Sequence, residues 1–320
     1  MESPQNIKKR LKSVSNINKI TKAMEMVAAT KMRKSQEIAL ASRPYAFAAL
    51  DFLATISSLD SAKLPELFNK RNVKKVLFVL VSSDKGLAGA FNSSVFRKFE
   101  QHQKEYPASA KGSGATREEH IYMAVGEKAF NYLSKKNFNV VKKFVSVGDY
   151  TTTEQIHPIV DFLVDGYINE SWDRVVVVST HFRSALKQET HVRRILPIDF
   201  DHIADTVKEI IPERGKFADL IKEHNINFVP NKANSKDFLI EPSAEEVLNK
   251  LAKHLFFIQV YHLILEANAS EHSARRMAMK TASDNASDLG NNLNLQYNKS
   301  RQSKITTEIS EISAGAEALS

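Results

Sequence analysis

Pro242-Ser243-Ala244-Glu245-Glu246-Val247-Leu248-Asn249-Lys250-Leu251 opens a stretch with no further proline up to Ser320 and only two glycines, Gly290 and Gly315. Ser243 reads as the N-cap of a helix, and Glu246 as the second half of a capping box. With nothing to stop it, a helix from Ala244 to near the C-terminus is on the order of 110 Å long. No single globular core of a 320-residue chain wraps such a rod, so it is expected to protrude. Its faces change along the way. Val247, Leu248, Leu251, Leu255, Phe256 and Ile258 form a broad apolar side suited to docking on a domain. Beyond Ala269 the face turns small and polar, with Ala274, Ala278, Ala282 and Ala286. Near the end Ile305, Ile309, Ile312, Ala316 and Leu319, stepping 4, 3, 4, 3, restore a strict coiled-coil seam.

The partner for such a seam lies at the other end of the chain. Ser3-Pro4 supplies a cap and a first-turn proline. Ile7, Leu11, Val14, Ile17, Ile20, Met24 and Val27 then recur as a narrow apolar stripe. Pro44 should kink or briefly break this helix before Tyr45–Leu59 resumes it. The two terminal helices are expected to pair antiparallel, with Ile305, Ile309 and Ile312 facing the N-terminal helix.

Between them the punctuation changes. Eight of the ten glycines fall between Gly86 and Gly215, and most of the prolines lie between Pro65 and Pro242. Val76–Val81, Ile121–Val125, Val140–Val147 and Arg174–Thr180 read as strands, and Glu189–Ile195 as an antiparallel edge. Ser93–Glu100, Glu127–Lys135 and Thr153–Ile168, with Thr153 as cap, read as helices. Pro107–His120 and Asn231–Lys236 read as surface loops. Strand–helix alternation predicts a mostly parallel sheet covered on both faces. The expected fold is therefore α/β: a long antiparallel coiled coil of N- and C-terminal helices plus a Rossmann-like α/β domain. Its parts would be an N-terminal helix over 1–60, the α/β domain over 70–240 and the C-terminal helix over 241–320.

Composition narrows the function. No apolar run approaches the ~18 residues needed to span a bilayer. The absence of cysteine excludes disulfides, thiolate metal sites and a cysteine nucleophile. Residues 7–34 are basic and acid-poor, yet Lys outnumbers Arg and no cleavage-like step follows, which reads as a mature cytosolic N-terminus rather than a transit peptide. A formal charge of +8 calls for an acidic partner. In residues 1–43, ten Lys or Arg stand against three Glu, and no aromatic occurs before Tyr45 to stack on a base. A basic face meeting acidic protein is the better reading.

Catalytic motifs are missing. Ser82-Ser83-Asp84-Lys85-Gly86-Leu87-Ala88-Gly89 follows a buried strand but lacks both GxxxxGK[ST] and GxGxxG, so a structural turn is favoured over a nucleotide site. The ten histidines show no HExxH spacing. Ser179-Thr180-His181 and Asp149 lack the GxSxG elbow.

Several stretches resemble one family. Ile305-Thr306-Thr307-Glu308-Ile309-Ser310-Glu311-Ile312-Ser313-Ala314-Gly315-Ala316 is similar to the signature of the γ subunit of F-type ATP synthases. So are Tyr297–Gln302, Ser270–Met279, Lys19–Ala29 and Ser83–Asn92, which fall in family order along the whole chain. Three differences stand out: Ala88-Gly89-Ala90 replaces the common Cys-Gly-Gly, the cysteine-bearing chloroplast insertion is absent, and Phe238 alone is aromatic in Phe238-Leu239-Ile240-Glu241.

The resemblance implies a central shaft turning inside a ring of α and β subunits, with the α/β domain at its foot against the ε subunit and the membrane c-subunit ring. Such a subunit transmits torque and performs no chemistry. It needs no cofactor of its own, since partner subunits bind ATP, ADP and magnesium. The same resemblance points to Met24, Arg33, Arg276, Arg301, Gln302, Thr306 and Glu308 as the interface with the catalytic ring. It points to Phe238, Ile240 and Glu241 as the interface with rotor ring and ε. It also implies peripheral attachment at the cytoplasmic face of the bacterial inner membrane, without nucleic acid as a partner. Two other classes stay open from residues alone: a basic structural or nucleic-acid-associated coiled-coil protein, and an enzyme built on the α/β domain.

Overall fold

A computed structural model of the chain describes residues 3–41, 65–106, 118–148, 151–199 and 241–318. The expected break at Pro44, the helix Tyr45–Leu59, residues 107–117 of the first loop, Asp149, the loop 231–236, Phe238, Ile240 and Leu319 lie outside them. Two compact units emerge, Thr30–Ala274 and the pairing of Met1–Ala29 with Arg275–Ser320.

The larger unit is built on β1 (Lys75–Val81), β2 (Glu119–Val125), β3 (Val140–Phe144), β4 (Arg174–Phe182) and β5 (Gln188–Leu196). Their order is β3-β2-β1-β4-β5. All neighbours run parallel except the pair β4 and β5, which is antiparallel as expected. Alternation within β1 divides the core cleanly. Val76, Phe78 and Leu80 pack with Val95 and Phe99 of α2 (Phe91–Glu105) and with Ala129 and Leu133 of α3 (Glu127–Lys135). Leu77, Val79 and Val81 face Ile156, Ile159 and Leu163 of α4 (Thr153–Ile168) and Val260, Leu263 and Ile264 of α5 (Ala244–Ala318). A strand buried on both faces needs such a continuous apolar run.

The local differences have local causes. β3 stops at Phe144 because Ser146 takes a left-handed φ of 62° and gives its N–H to Asp84 Oδ2 at 2.9 Å. Thr152, not Thr153, is the N-cap of α4, and its N–H meets Gln155 Oε1 at 3.2 Å. At the start of α5, Ser243 Oγ accepts the Glu246 N–H at 3.2 Å, while the Glu246 carboxylate turns forward to Lys250 Nζ at 2.8 Å. The sheet's second strand begins at Glu119, two residues before Ile121.

In the smaller unit α1 (Pro4–Ala41) lies antiparallel to α5. Ser283 Oγ donates to Asn18 Oδ1 at 2.6 Å, and Gly290 lies against Val14. Residues turned inward on α1 are Ile7, Leu11, Val14, Asn18, Thr21, Glu25 and Ala28; on α5 they are Met279, Ser283, Ala286, Gly290, Leu293 and Tyr297. Both rows step alternately by 4 and 3, the coiled-coil period. This corrects the apolar stripe read for α1. Three consecutive steps of three, from Leu11 to Ile20, rotate that stripe off a seven-residue repeat. Ile17, Ile20 and Val27 are accordingly 52%, 59% and 55% exposed.

The terminal isoleucines need a second correction. Ten residues back along α1 correspond to ten onward along α5 in an antiparallel pair, so Pro4 is level with about residue 300. Beyond that point α1 has run out. Every residue from Arg301 to Ala316 is exposed, including Ile305, Ile309 and Ile312. They do not face α1.

Candidate functional site

Side chains expected to meet outside partners occupy two stations on the smaller unit's helices. Met24, on α1, is half-buried, and so is Arg276, on α5. Arg301, Gln302, Thr306 and Glu308 are exposed on the unpaired end of α5. At 1.5 Å per residue, Arg276 and Arg301 are about 37 Å apart along the helix. The structure therefore groups the last four residues but separates them from Met24 and Arg276. Arg33 is exposed on the part of α1 that belongs to the larger unit, and Glu241 is exposed just before α5.

At the free end some of the polar groups have local partners. Thr306 Oγ1 donates to the Gln302 carbonyl at 3.0 Å, and Lys304 Nζ lies 3.6 Å from Glu308 Oε1. Such an exposed i,i+4 pair contributes roughly 0.3–0.5 kcal/mol. Between these groups runs the row Ile305, Ile309 and Ile312. Burying each would stabilise a complex by about 1.5–3 kcal/mol. The apolar row therefore dominates what this surface can offer a partner, and the polar groups set its orientation.

The loop after β1 occupies the place where α/β folds bind phosphates, and its own residues fill that place. At the N-terminus of α3, the Glu127 N–H goes to Asp84 Oδ1 at 3.0 Å, the Lys128 N–H to the Ser83 carbonyl at 3.1 Å and the Ala129 N–H to Ser82 Oγ at 2.7 Å. Three N–H groups that could hold an anion are thus satisfied by three consecutive residues. Asn92 fixes the loop from the other side, accepting the Ser83 N–H at 3.0 Å and donating to Ser83 Oγ at 2.7 Å. Gly126, with φ +95°, allows the close approach, because a Cβ there would overlap the Ser82 carbonyl. Among the described residues, no group of three or more His, Asp or Glu could hold a metal ion, and no helix is long and apolar enough to cross a membrane.

Two features escaped the sequence. The seam residues Asn18, Thr21 and Ser283 are polar, so a search for apolar periodicity passes over them. On α5, residues from Leu255 to Ser273 are buried on nearly all sides, including His262, Glu266, Asn268, Glu271 and His272. Charged and amide residues rarely go inside unpaired, and only their partners, remote in sequence, reveal why these do.

Known proteins share this arrangement. The family model described as ATP synthase matches residues 3–319. The ATP synthase gamma chain of Methylobacillus flagellatus is 36% identical over 320 residues, covering all of both chains. That of Trichlorobacter lovleyi is 34% identical over 319 residues, covering 100% of this chain and 99% of the relative. Among solved structures, a chain of the Euglena gracilis mitochondrial ATP synthase OSCP/F1/c-ring assembly in rotational state 3 superposes with a TM-score of 0.63. It is 17% identical and covers 99% of this chain and 94% of its own. A chain of the Euglena gracilis rotor in rotational state 1 gives 0.59 at 16% identity, covering 94% and 98%. At such identities these two establish a shared fold.

Proposed function

Because the chain belongs to the ATP synthase gamma-chain family, we propose that it works as the central-stalk rotor subunit of an F-type proton-translocating ATP synthase. In this role it couples proton flow through a membrane rotor to ATP synthesis by turning inside a catalytic ring. The observation that carries the reading is the bare end of α5: sixteen successive exposed residues with an isoleucine row that no other described residue covers. Such a helix end needs an outside sleeve, and an apolar row seated in a ring lets the end turn without breaking directional bonds.

The finer assignments follow from the same reading. Met24, Arg33 and Arg276 meet the α and β subunits lower on the shaft, where a basic α1 faces acidic loops of the ring. Met24 presents an apolar side chain beside exposed Ile20 and Val27, a surface that slides. Arg301, Gln302, Thr306 and Glu308 form a polar latch near the tip, in which a planar guanidinium grips a carboxylate in a way lysine does not reproduce. Phe238, Ile240 and Glu241 contact the c-subunit ring and the ε subunit. ATP, ADP and magnesium are held by the partner subunits, and the complex sits at the cytoplasmic face of a bacterial inner membrane.

The test is capture of the tagged full chain from its native membranes at moderate salt. Stoichiometric recovery of ATP-hydrolysing subunits is expected. Recovery of the chain alone, or with nucleic acid released by salt, would contradict the proposal.

A further inference from the structure

The larger unit grips α5 from two opposite sides with directional bonds. On one side the Glu266 carboxylate accepts from His181 Nδ1 of β4 at 2.7 Å, and Ser273 Oγ donates to the Ala185 carbonyl beyond β4 at 2.8 Å. Across the helix, Asn268 Nδ2 donates to the Val147 carbonyl at 3.0 Å and to Thr151 Oγ1 at 2.6 Å. There also His272 Nε2 donates to the Gly148 carbonyl at 3.0 Å, and the Tyr261 hydroxyl to the Thr151 carbonyl at 3.2 Å.

At about 100° per residue, Glu266 and Ser273 project within about 20° of each other, whereas Asn268, His272 and Tyr261 lie about 200–240° around. The anchoring groups are therefore opposed across the helix axis. Apolar burial, which α5 also has in abundance here, is non-directional and resists a helix turning about its own axis only through shape. Opposed hydrogen bonds at buried and half-buried sites resist it directly, because a turn either way breaks both sets and leaves polar atoms without their partners.

We infer that Glu266, Asn268 and His272 are positioning residues that key the helix rotationally to the α/β unit, so that torque entering that unit passes into α5 without slippage. This rests on the rotor reading above and adds to it the point where torque is transferred within the subunit. The key lies wholly within Thr30–Ala274, and the same helix then continues from Arg275.

The test uses the complete complex in vesicles. His181→Leu with Glu266→Leu removes the buried bond of one side, leaving that of Ser273, and replaces a buried pair by apolar volume, a change often neutral or favourable for stability. Asn268→Leu weakens the other side. The combined variant is expected to hydrolyse ATP in detergent within about twofold of the unmodified complex, while its proton pumping per ATP falls by about threefold or more, since members of one network lose function non-additively. The shortfall should grow as the opposing proton gradient rises. Glu266→Gln, which keeps an acceptor for His181, should pump normally. The milder Thr151→Val should shift the ratio less, in the same direction. An unchanged ratio in the combined variant, or hydrolysis and pumping falling in step, overturns the inference. So does failure of the combined variant to assemble together with an unchanged ratio in Thr151→Val. Absence of ATP-driven pumping by the unmodified complex would instead overturn the rotor reading.

Discussion

Gly166 lies on α4 where a Cβ would overlap the indole of Trp172, whose Nε1 donates to the Leu163 carbonyl at 3.2 Å. Trp172 is 5% exposed, so the ring has nowhere to go. Gly166→Ala should destabilise the full chain by about 1–3 kcal/mol or more through overpacking, read as a lower urea midpoint. Gly148→Ala, whose Cβ would sit 3.7 Å from Glu271 Oε2 in ordinary contact, should shift it little. A second residue-scale effect is pH. His102 and His120 both pack on the Phe78 ring, at 5.8 and 4.9 Å between centroids. Burial holds both imidazoles below the usual histidine value, helped for His120 by the neighbouring His102 and opposed for His102 by Glu105. The folded chain thus binds fewer protons than the unfolded one. Stability is fully present above the unfolded value of about 6.5 and declines as pH falls below it through the lowered folded values. Urea midpoints taken on either side of that value should show this fall, and His120→Phe should flatten it. An identical slope in His120→Phe would exclude His120 as its source.

At the scale of elements, the two ends of α5 are stabilised differently. Leu255, Phe256, Leu263 and Ile264 are buried in the larger unit, each contributing about 1.5–3 kcal/mol. The seam with α1 mixes Ile7, Leu11, Val14, Met279 and Leu293 with Asn18, Thr21, Ser283, Ala286 and Gly290, whose small or polar side chains allow close approach. The third stretch, Arg301 to Ala316, has neither. Ile309→Asp should therefore leave the thermal midpoint of the full isolated chain unchanged, yet lower ATP turnover in the assembled complex. A marked fall in the isolated chain's midpoint would mean that Ile309 packs within the chain after all. These contrasts also explain what the sequence disclosed. The strands and helices of the α/β unit were legible because β1 and β4 carry unbroken apolar runs and Gly126 and Ser82–Asp84 mark a turn. The heptad of α1 is legible only in its first turns: Ile7, Leu11 and Val14 face the seam, but Ile17, Ile20 and Val27 point outward while Asn18 and Thr21 continue it. The pairing expected for Ile305, Ile309 and Ile312 failed for a geometric reason: periodicity gives a helix face, but the reach of the partner depends on register, which Asn18 and Ser283 set.

Taken as a whole molecule, the chain has a continuous helix that belongs to both units, keyed by polar bonds in one and laid against α1 in the other. Among the described residues, the N-terminus of α3 is filled by Ser82, Ser83 and Asp84, and no group of three or more His, Asp or Glu could hold a metal ion. The family assignment and the exposed tip agree on a mechanical role, transmission of rotation between a membrane rotor and a catalytic ring. Rotation itself can be watched. The chain has no cysteine, and Leu186 stands 80% exposed in the turn between β4 and β5, so Leu186→Cys offers a single labelling point. With the catalytic ring fixed to a surface and a probe on that residue, adding ATP should produce unidirectional, stepwise turning that stops when ATP is withdrawn. A probe that stays still while the labelled complex hydrolyses ATP at its full rate would contradict the account.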